Sequence, residues 1–363
     1  MVKVPYKMQD VIDTDPNGYD AISLFSGCGG SSIGYRLAGF KMLYANEFIP
    51  AAKNCYEANC MPYTKVDGRD IREVQPEEIL NIIGKKRGEL DLLDGSPPCA
   101  SFSSGGKVEK SWGQVRKYSD TKQRTDDLFF EFARMIEGIY PKVFVAENVK
   151  GLVTGKAKGY FKEIYQSLVD KGYELQAKLL NASQLGVAQA RQRVIFVGVR
   201  KDLKLSPVFA KPMKGMRVVD VVPWIMDTHD ENNPMPVEKE CYLLQERSVG
   251  KMWHTETLGK ANKKTCYNFR KINPVLPCPT ICAEQGNGGA ALAHPFIKRY
   301  LSLGEGKRLQ GFPDDFNLNC EADSDKVVFA KNWERLGRSV PPIMMFNIAK
   351  TIQYHILEEA NGN

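Results

Sequence analysis

Short apolar segments that favour β-strands recur through the first part of the chain, and helix-forming segments lie between them. The strand-like segments are residues 21–26, 41–45, a short run before Asp67, 90–93, 143–146, about 174–181 and 194–199. The segment from about Asp126 to Gly138 instead places its apolar residues on one helical face. This alternation predicts an α/β fold with a doubly wound, mostly parallel, Rossmann-like sheet. Such sheets carry their reactive groups at the carboxyl ends of the strands.

The composition and periodicity of the sequence change after Lys201. Residues 201 to about 300 contain many prolines and few long periodic stretches, so we expect a second, irregular domain there. A last helix is predicted from about Pro342 to Glu359, because apolar residues recur along it at helical spacing. No internal repeat is evident in the sequence.

The overall composition limits the class of protein. A chain of 363 residues with 43% hydrophobic and 26% charged residues is typical of a globular protein. No apolar run approaches the roughly 20 residues of a membrane span, and the first residues lack the apolar core of a signal peptide. The nine scattered cysteines lack paired zinc-site spacing and predict no metal site; a reducing cytosol is the simplest setting for them. The net charge of +7 favours a polyanionic partner.

The segment around Cys99 is typical of a reactive site. Pro97 and Pro98 fix φ and lack N–H donors, so the strand of residues 90–93 cannot continue through them. Cys99 is therefore expected at the carboxyl end of a strand, with a buried, unreactive cysteine as the alternative. Between Gly105 and Arg124, six lysines and arginines then stand against two carboxylates. A solvated loop would explain this charge, but a mobile clamp on phosphates explains its place beside the cysteine as well.

Three other strand ends carry the features of a nucleoside site. The glycine-rich turn, residues 27–30, follows the first strand and lets the backbone approach a ligand closely, although it does not complete the dinucleotide pattern G-x-G-x-x-G. Glu47 ends the second strand, where a carboxylate is placed to hold ribose hydroxyls; an exposed capping carboxylate is the alternative. Asp70 follows the third strand and is placed to accept a hydrogen bond from an adenine amine.

An acid and two arginines come next. Glu147 ends the strand of residues 143–146, where it suits a proton donor. Arg191 and Arg193 alternate into the strand of residues 194–199, so we expect them to share one face. There they would either be solvated or clamp a base or phosphate.

The sequence resembles the DNA (cytosine-5) methyltransferases over nearly the whole chain outside residues 201–270. The matching motifs are Phe25-Ser26-Gly27-Cys28-Gly29-Gly30, Ser96-Pro97-Pro98-Cys99, Glu147-Asn148-Val149, Gln189 to Arg193, and Arg299-Tyr300-Leu301-Ser302 with Glu305 and Leu309-Gln310-Gly311-Phe312-Pro313. They look like the family's cofactor turn, nucleophile, acid, paired arginines and the segment that organises target recognition. Each motif alone is weak, but their order and spacing together are specific.

The resemblance implies a class I methyltransferase fold that binds S-adenosylmethionine. It implies a catalytic, cofactor-binding domain of residues 1–200 plus 335–363, a target-recognition domain of residues 201–310 and a hinge of residues 311–334. The cofactor-binding residues that it implies are Phe25, Gly27, Gly29, Gly30, Glu47, Phe48, Asp70, Ile71, Pro98, Leu128, Arg338, Ser339 and Val340. The DNA-binding residues that it implies, with the basic segment, are Ser103, Lys107, Lys110, Arg116, Lys117, Thr280, Ile281, Gly288 and Gly289.

The family's chemistry fits these residues. Cytosine C5 is a poor nucleophile, so methyl transfer there needs covalent activation. The Cys99 thiolate would add to C6 while Glu147 protonates or hydrogen-bonds N3. Arg193, supported by Arg191, would stabilise the added charge. The target cytosine must be flipped out of the duplex, because its ring is inaccessible in the stack. No residue stands out as the base for the C5 proton, and a water would serve.

The chain departs from the family pattern at Arg338, where the family nearly always has Asn. One explanation is that Arg338 turns toward a DNA phosphate or a nearby acid. Another is that it pairs with the carboxylate of a carboxylated S-adenosylmethionine, in which case a carboxymethyl group would be transferred. Ala100 also stands where Gln is frequent in the family.

Other functions stay open on the sequence alone. RNA cytosine methylation is the nearest, since the same chemistry serves RNA; a catalytically silent DNA-binding protein and a nicotinamide oxidoreductase are disfavoured by the catalytic set and the incomplete glycine pattern. We expect a monomer that acts on double-stranded DNA, in the cytoplasm of a bacterium or encoded by a phage, without a membrane partner. A cognate restriction endonuclease would complete a restriction-modification system. The target sequence is not readable from the chain.

Overall fold

The computed structural model describes residues 4–98, 116–118, 121–123, 127–153, 158–227, 270–283, 292–297, 299–318 and 325–362. These residues form two compact units. The sheet unit comprises Gln9–Asn181, Gln192–Lys211 and Met345–Asn363. The second unit comprises Met1–Met8, Ala182–Arg191 and Pro212–Met344. The functional domains named above stay predictions.

The sheet unit contains a seven-stranded sheet. Its strands, with a separate antiparallel pair β5–β6, are β1 Asp20–Leu24, β2 Lys41–Asn46, β3 Lys65–Asp67, β4 Leu92–Gly95, β5 Arg116–Tyr118, β6 Thr121–Gln123, β7 Val143–Val149, β8 Tyr173–Asn181 and β9 Gln192–Arg200. The order across the sheet is β3-β2-β1-β4-β7-β9-β8. Neighbours from β3 to β7 pair in parallel, and β9 is antiparallel to both β7 and β8. The predicted α/β class with a mostly parallel sheet is confirmed.

Helices alternate with the strands in the order that the sequence predicts. They are α1 Met8–Ile12, α2 Gly30–Leu37, α3 Pro50–Glu57, α4 Pro76–Ile83, α5 Leu128–Ile139, α6 Lys158–Val169, α7 Val218–Val221, α8 Leu303–Gln310, α9 Asp325–Arg338, α10 Pro342–Ile352 and α11 Glu358–Gly362. Proline at the first position of α3 and α4 fits the helix start, where its missing N–H costs nothing. The predicted last helix is divided, because one π-helical turn at Gln353–Leu357 separates α10 from α11.

Aromatic packing beneath β4 and β7 makes the sheet unit's core. Phe132 of α5 lies edge-on to Phe144 of β7, with ring centroids 6.3 Å apart. Gly95, the last residue of β4, leaves room for the same ring: a Cβ there would lie 2.2 Å from Phe132 Cε2. Phe144 also contacts Tyr173 of β8 at 5.0 Å. Because Gly95 has no side chain, the buried Phe132 ring packs directly against the end of β4 and holds it in place.

The second unit has a smaller core and a buried ion pair. The short strands β10 Arg270–Lys271 and β11 Leu292–Ala293 pair in parallel. Trp333 of α9 lies in an apolar cluster with Leu301 and Leu309. Glu305, fully buried, accepts from both terminal nitrogens of Arg299 at 2.7 and 2.8 Å. Ser302 and Glu305 also form a capping box at the start of α8.

Gly95→Ala should destabilise the protein, because the added methyl group overlaps the Phe132 ring. We expect the free energy of unfolding to fall by about 1–3 kcal/mol. Gly159→Ala is the matched control, since Gly159 is an exposed helical residue with nothing within 4 Å of an added Cβ. The control should be neutral or stabilising. Urea titrations followed by circular dichroism measure both changes, and equal stability of the two variants would contradict this account of the core.

Candidate active site

The carboxyl ends of neighbouring strands are tied together by hydrogen bonds. Ser96 N, just after β4, donates to Leu24 O of β1 at 3.2 Å. Pro97 O accepts from Asn148 Nδ2 of β7 at 3.1 Å. No pattern in the sequence indicates this contribution of Asn148. The chain that leads to Cys99 is therefore fixed on both sides up to Pro97.

The glycine-rich turn has a backbone that requires left-handed residues. Phe25, Gly27 and Gly29 have φ values of 54°, 56° and 88°. A Cβ on Gly29 would lie 2.9 Å from the Tyr56 ring, whereas one on Gly27 would meet nothing within 4 Å. Gly29 is thus required by packing and by backbone conformation. The space beside Gly27 leaves its backbone accessible to a ligand.

Glu47 fastens this turn to the end of β2. It is 7% exposed, and its Oε2 accepts from Gly27 N at 2.7 Å while its Oε1 accepts from Ile49 N at 2.8 Å. Burial raises the pKa of Glu47, although both backbone hydrogen bonds oppose the shift. The carboxylate is therefore a buried link between two strand ends rather than an exposed cap.

The predicted adenine-binding residues follow β3. Asp70 Oδ1 accepts from Arg72 N at 3.0 Å, and an ion pair of 2.8 Å joins the same two side chains. Arg72 also pairs with Asp127 at 2.7 Å, directly before α5. Ile71 and Leu128 are buried beside these charged groups. This set offers a carboxylate and apolar surface, which suits a purine.

Glu147 and Arg193 form an ion pair in the sheet unit. The Arg193 Nε and Glu147 Oε1 atoms are 2.7 Å apart, although the N–H does not point at the oxygen in hydrogen-bond geometry, and both side chains are largely buried. In the β7–β9 ladder Glu147 is opposite Ile195 and Arg193 is opposite Val149. Because side chains alternate along strands, these register positions put the acid and the arginine on one face. A buried acid paired with a permanent cation is suited to hold a base in one orientation.

Arg191 is placed differently from the prediction. It precedes β9, which starts at Gln192, so it does not share a strand face with Arg193. It belongs to the second unit, where it is 2% exposed and its Nη1 donates to Ile281 O at 3.3 Å and Gly337 O at 3.0 Å. The strand begins at Gln192, two residues earlier than the predicted residue 194 but still after Arg191, so the alternation of strand side chains does not reach Arg191.

Two glutamines complete the surroundings of Arg191 in the second unit. Gln189 donates to Gln310 Oε1, and its own Oε1 accepts from Ile281 N at 2.9 Å. Gln310 Nε2 also donates to Ser339 O at 2.9 Å. Thr280 Oγ1 donates to Ala190 O at 3.2 Å. The residues predicted to organise target recognition and cofactor binding in this unit are thus joined through buried amides, which sequence spacing alone does not reveal.

Arg338 has an acidic partner in its own helix. Its Nε lies 2.9 Å from Glu334 Oε1, one turn earlier in α9, and its side chain is 35% exposed. Ser339 and Val340, the next residues, are buried, and Ser339 Oγ donates to Arg335 O at 2.7 Å. Phe48, also assigned to the cofactor, is half-buried after β2.

Several predicted site residues lie outside the described part of the chain. They are Cys99, Ser103, Lys107, Lys110, Gly288 and Gly289, together with the side chains of Arg116 and Lys117, whose backbones form part of β5. Within the described ranges, no group of three or more His, Cys, Asp or Glu residues could hold a metal ion. None of the helices in those ranges is long and apolar enough to cross a membrane.

Glu47→Gln should destabilise the protein, because an amide has one acceptor oxygen for two backbone donors. The N–H of either Gly27 or Ile49 then loses its partner, and we expect a loss of about 1–3 kcal/mol at pH 7.5. Glu57→Gln removes an exposed ion pair with Lys53 and should cost about 0.5 kcal/mol or less. Urea unfolding of both variants tests this, and a Glu47→Gln loss no larger than the control's would contradict the structural assignment of Glu47.

Comparisons with known proteins identify what this arrangement is similar to. The model of a family described as C-5 cytosine-specific DNA methylase matches residues 19–354. The Type II methyltransferase M.FnuDI of Fusobacterium nucleatum is 30% identical over 352 residues, which cover 92% of this chain and 93% of the relative. M.NgoPII of Neisseria gonorrhoeae, also a Type II methyltransferase, is 28% identical over 370 residues, with 95% and 98% coverage.

Solved structures share the fold. A putative DNA modification methyltransferase encoded within an Escherichia coli prophage superposes with a TM-score of 0.69 at 22% identity, covering 94% of this chain and all of that chain. A DNMT2 mutant of Spodoptera frugiperda gives a TM-score of 0.62 at 16% identity, with 93% and 99% coverage.

Proposed function

Since the chain belongs to the C-5 cytosine-specific DNA methylase family and is a DNA cytosine-5 methyltransferase, we propose that it methylates a cytosine flipped out of a specific double-stranded sequence, through a covalent bond between Cys99 and C6. The observation that carries the proposal is the buried Glu147–Arg193 pair, 2.7 Å apart in the carboxyl-terminal half of β7. Asn148, the next residue, binds Pro97 O and so links this pair to the segment that enters Cys99.

The acid and the arginine would act on the pyrimidine ring. As the Cys99 thiolate adds to C6, the ring electrons move toward N3, and Glu147 would donate a proton or a hydrogen bond there. Arg193 contacts Oε1, so Oε2 is the atom that we propose for N3. Arg193 would also stabilise the negative charge that develops on the ring. After C5 has taken up the methyl group, loss of the C5 proton to water, return of the N3 proton to Glu147 and cleavage of the S–C6 bond would restore Cys99.

The residues around the glycine-rich turn fit S-adenosylmethionine. The accessible backbone at Gly27 would approach the cofactor closely, Glu47 would accept from ribose hydroxyls with its remaining lone pairs, and Asp70 with Ile71 would hold the adenine. When bound, S-adenosylmethionine supplies an electrophilic methyl group on sulfur. The chain's own contribution is to fix the turn, through Glu47, at the level of the neighbouring strand ends.

The DNA contact would come from residues that the sequence makes basic. The six cations between Gly105 and Arg124 would neutralise phosphates around the flipped cytosine. Thr280 and Ile281, held at Ala190 and Gln189, would approach the bases from the second unit. The relatives are named Type II methyltransferases, which supports the proposal of a cognate restriction endonuclease and a bacterial or phage setting.

Arg338 supports transfer of a methyl rather than a carboxymethyl group. Its ion pair with Glu334 supplies the nearby acid that one explanation of this arginine requires. A carboxylated cofactor would have to compete with that pair. Incubation with both cofactors, followed by mass spectrometry of the nucleosides, distinguishes the two transfers, and carboxymethylcytosine as the main product would overturn this choice.

DNA that contains 5-fluorocytosine should trap the protein covalently. Fluorine at C5 cannot leave as a proton, so the Cys99–C6 bond persists after methyl transfer. We expect a DNA-linked species of the native protein on denaturing gels and none with Cys99→Ser. An adduct that survives in Cys99→Ser would refute the assigned nucleophile. Adduct formation with 5-fluorocytosine RNA, but not with DNA, would favour the RNA substrate instead.

Glu147→Gln should lower kcat by about 10²-fold or more, because the amide cannot donate the proton that accompanies thiolate addition. The matched control is Glu137→Gln, whose carboxylate is 56% exposed and pairs with Lys171 on the surface of the same unit. The control should keep the native kcat. Steady-state transfer of radiolabelled methyl groups to DNA measures both, and a Glu147→Gln rate within about threefold of the native rate would exclude Glu147 as the acid.

A further inference from the structure

Asp94 is a buried carboxylate that the chemistry above does not use. It is the third residue of β4, which pairs with β1 on one side and with β7 on the other. It is 1% exposed. A carboxylate at such a position is tolerated only where donors replace the lost water. Its polar contacts therefore show what the strand is tied to.

Three hydroxyl groups donate to Asp94. Ser23 Oγ of β1 and Ser31 Oγ of α2 donate to Oδ2 at 2.8 and 2.7 Å, and Tyr35 OH of α2 donates to Oδ1 at 3.1 Å. Ser31 is the second residue of α2, and this helix begins within the glycine-rich turn. Asp94 thus fastens the beginning of α2 to the strand that leads toward Cys99.

We propose that Asp94 is a positioning residue that holds the glycine-rich turn at the level of the end of β4 and thereby sets the affinity for S-adenosylmethionine. This inference rests on the proposed function, because it assigns the turn to that cofactor. The ionised carboxylate accepts from all three hydroxyls at once. The protonated acid is a weaker, uncharged acceptor, so the three hydrogen bonds weaken and the start of α2 is held less firmly.

The titration of Asp94 lies in an accessible range. Burial raises its pKa to about 6, while the hydrogen bonds from Ser31, Ser23 and Tyr35 oppose the shift. Glu147 of β7 also raises it by repulsion. Two further titratable or charged groups belong to these surroundings. They are Tyr56 of α3 and Arg193, which pairs with Glu147.

Stability and cofactor affinity should therefore depend on pH in opposite directions. The folded pKa of Asp94 lies above its ordinary value of 3.8, so the folded state binds this proton more tightly than the unfolded chain does. The contribution of Asp94 to stability is fully present below pH 3.8 and is lost as the pH rises through about 6. Cofactor affinity, which needs the ionised form, should instead fall as the pH is lowered through about 6.

Asp94→Asn tests the proposal in the full chain, with isothermal titration of S-adenosylmethionine at pH 5.5 and 7.5. We expect the Kd of the variant at pH 7.5 to be about tenfold above the native value, as for the loss of one hydrogen bond to a charged group. The ratio of the Kd at pH 5.5 to the Kd at pH 7.5 should be at least about threefold smaller in Asp94→Asn than in the native protein. The pH dependence that is left in the variant is assigned to Glu47. Asp170→Asn, an exposed carboxylate bound by Gln166, is the matched control and should keep both native values.

The outcomes separate this inference from the proposed function. A native protein that does not bind S-adenosylmethionine would overturn the proposed function. Native binding together with an unchanged Kd and pH ratio in Asp94→Asn would overturn only the role of Asp94. If circular dichroism shows that Asp94→Asn does not fold, Tyr35→Phe and Ser31→Ala replace it, since each removes one donor. Each must raise the Kd at least about twofold, and native affinity in either variant would refute the inference.

Discussion

Strand β4 is the constraint on which the arrangement of the site depends. It has parallel neighbours on both sides, and Gly95 stands opposite Leu24 of β1 and Ala146 of β7. Strands β1 and β4 end at this level, whereas β7 continues to Val149 along β9, so Phe25, Ser96 and Glu147 lie side by side. The turn, the approach to the cysteine and the acid are therefore adjacent before any specific contact forms between them. The alignment tolerates no side chain at position 95, because Phe132 fills that space.

Buried charge in both units is matched locally, which keeps its desolvation cost low. Glu47 accepts hydrogen bonds from two backbone N–H groups. Glu147 and Glu305 form ion pairs with Arg193 and Arg299. Removing one member of such a pair exposes the other to a low-dielectric interior, which costs more than the pair itself contributes. Side chains bound in this way have one orientation, and reactions that depend on the direction of a proton or a lone pair need that restriction.

The sequence predicted the fold well, because short aliphatic runs and amphipathic helices are local patterns. It also placed Glu47 and Asp70 just after strand ends, but it ended the strand of Glu147 too early, because β7 continues to Val149. It failed for Arg191, whose place depends on where β9 begins, and alternation cannot show that. Asp94 went unnoticed directly after the apolar run of residues 90–93, and the Gln189–Gln310 contact joins positions 121 residues apart that share no local pattern. Contacts of this kind depend on tertiary packing, which no spacing rule encodes.

Phe25 has a consequence for how this protein can change in evolution. Its left-handed backbone, with φ of 54°, costs a residue with a Cβ about 1–2 kcal/mol. Its ring nevertheless packs at 6.5 Å from that of Phe132. Glycine or asparagine would relieve the backbone but lose the ring, and valine or isoleucine would keep apolar surface at a higher backbone cost. Opposite demands therefore leave few single substitutions that are neutral at position 25, so drift there should be slow whatever ligand the turn binds.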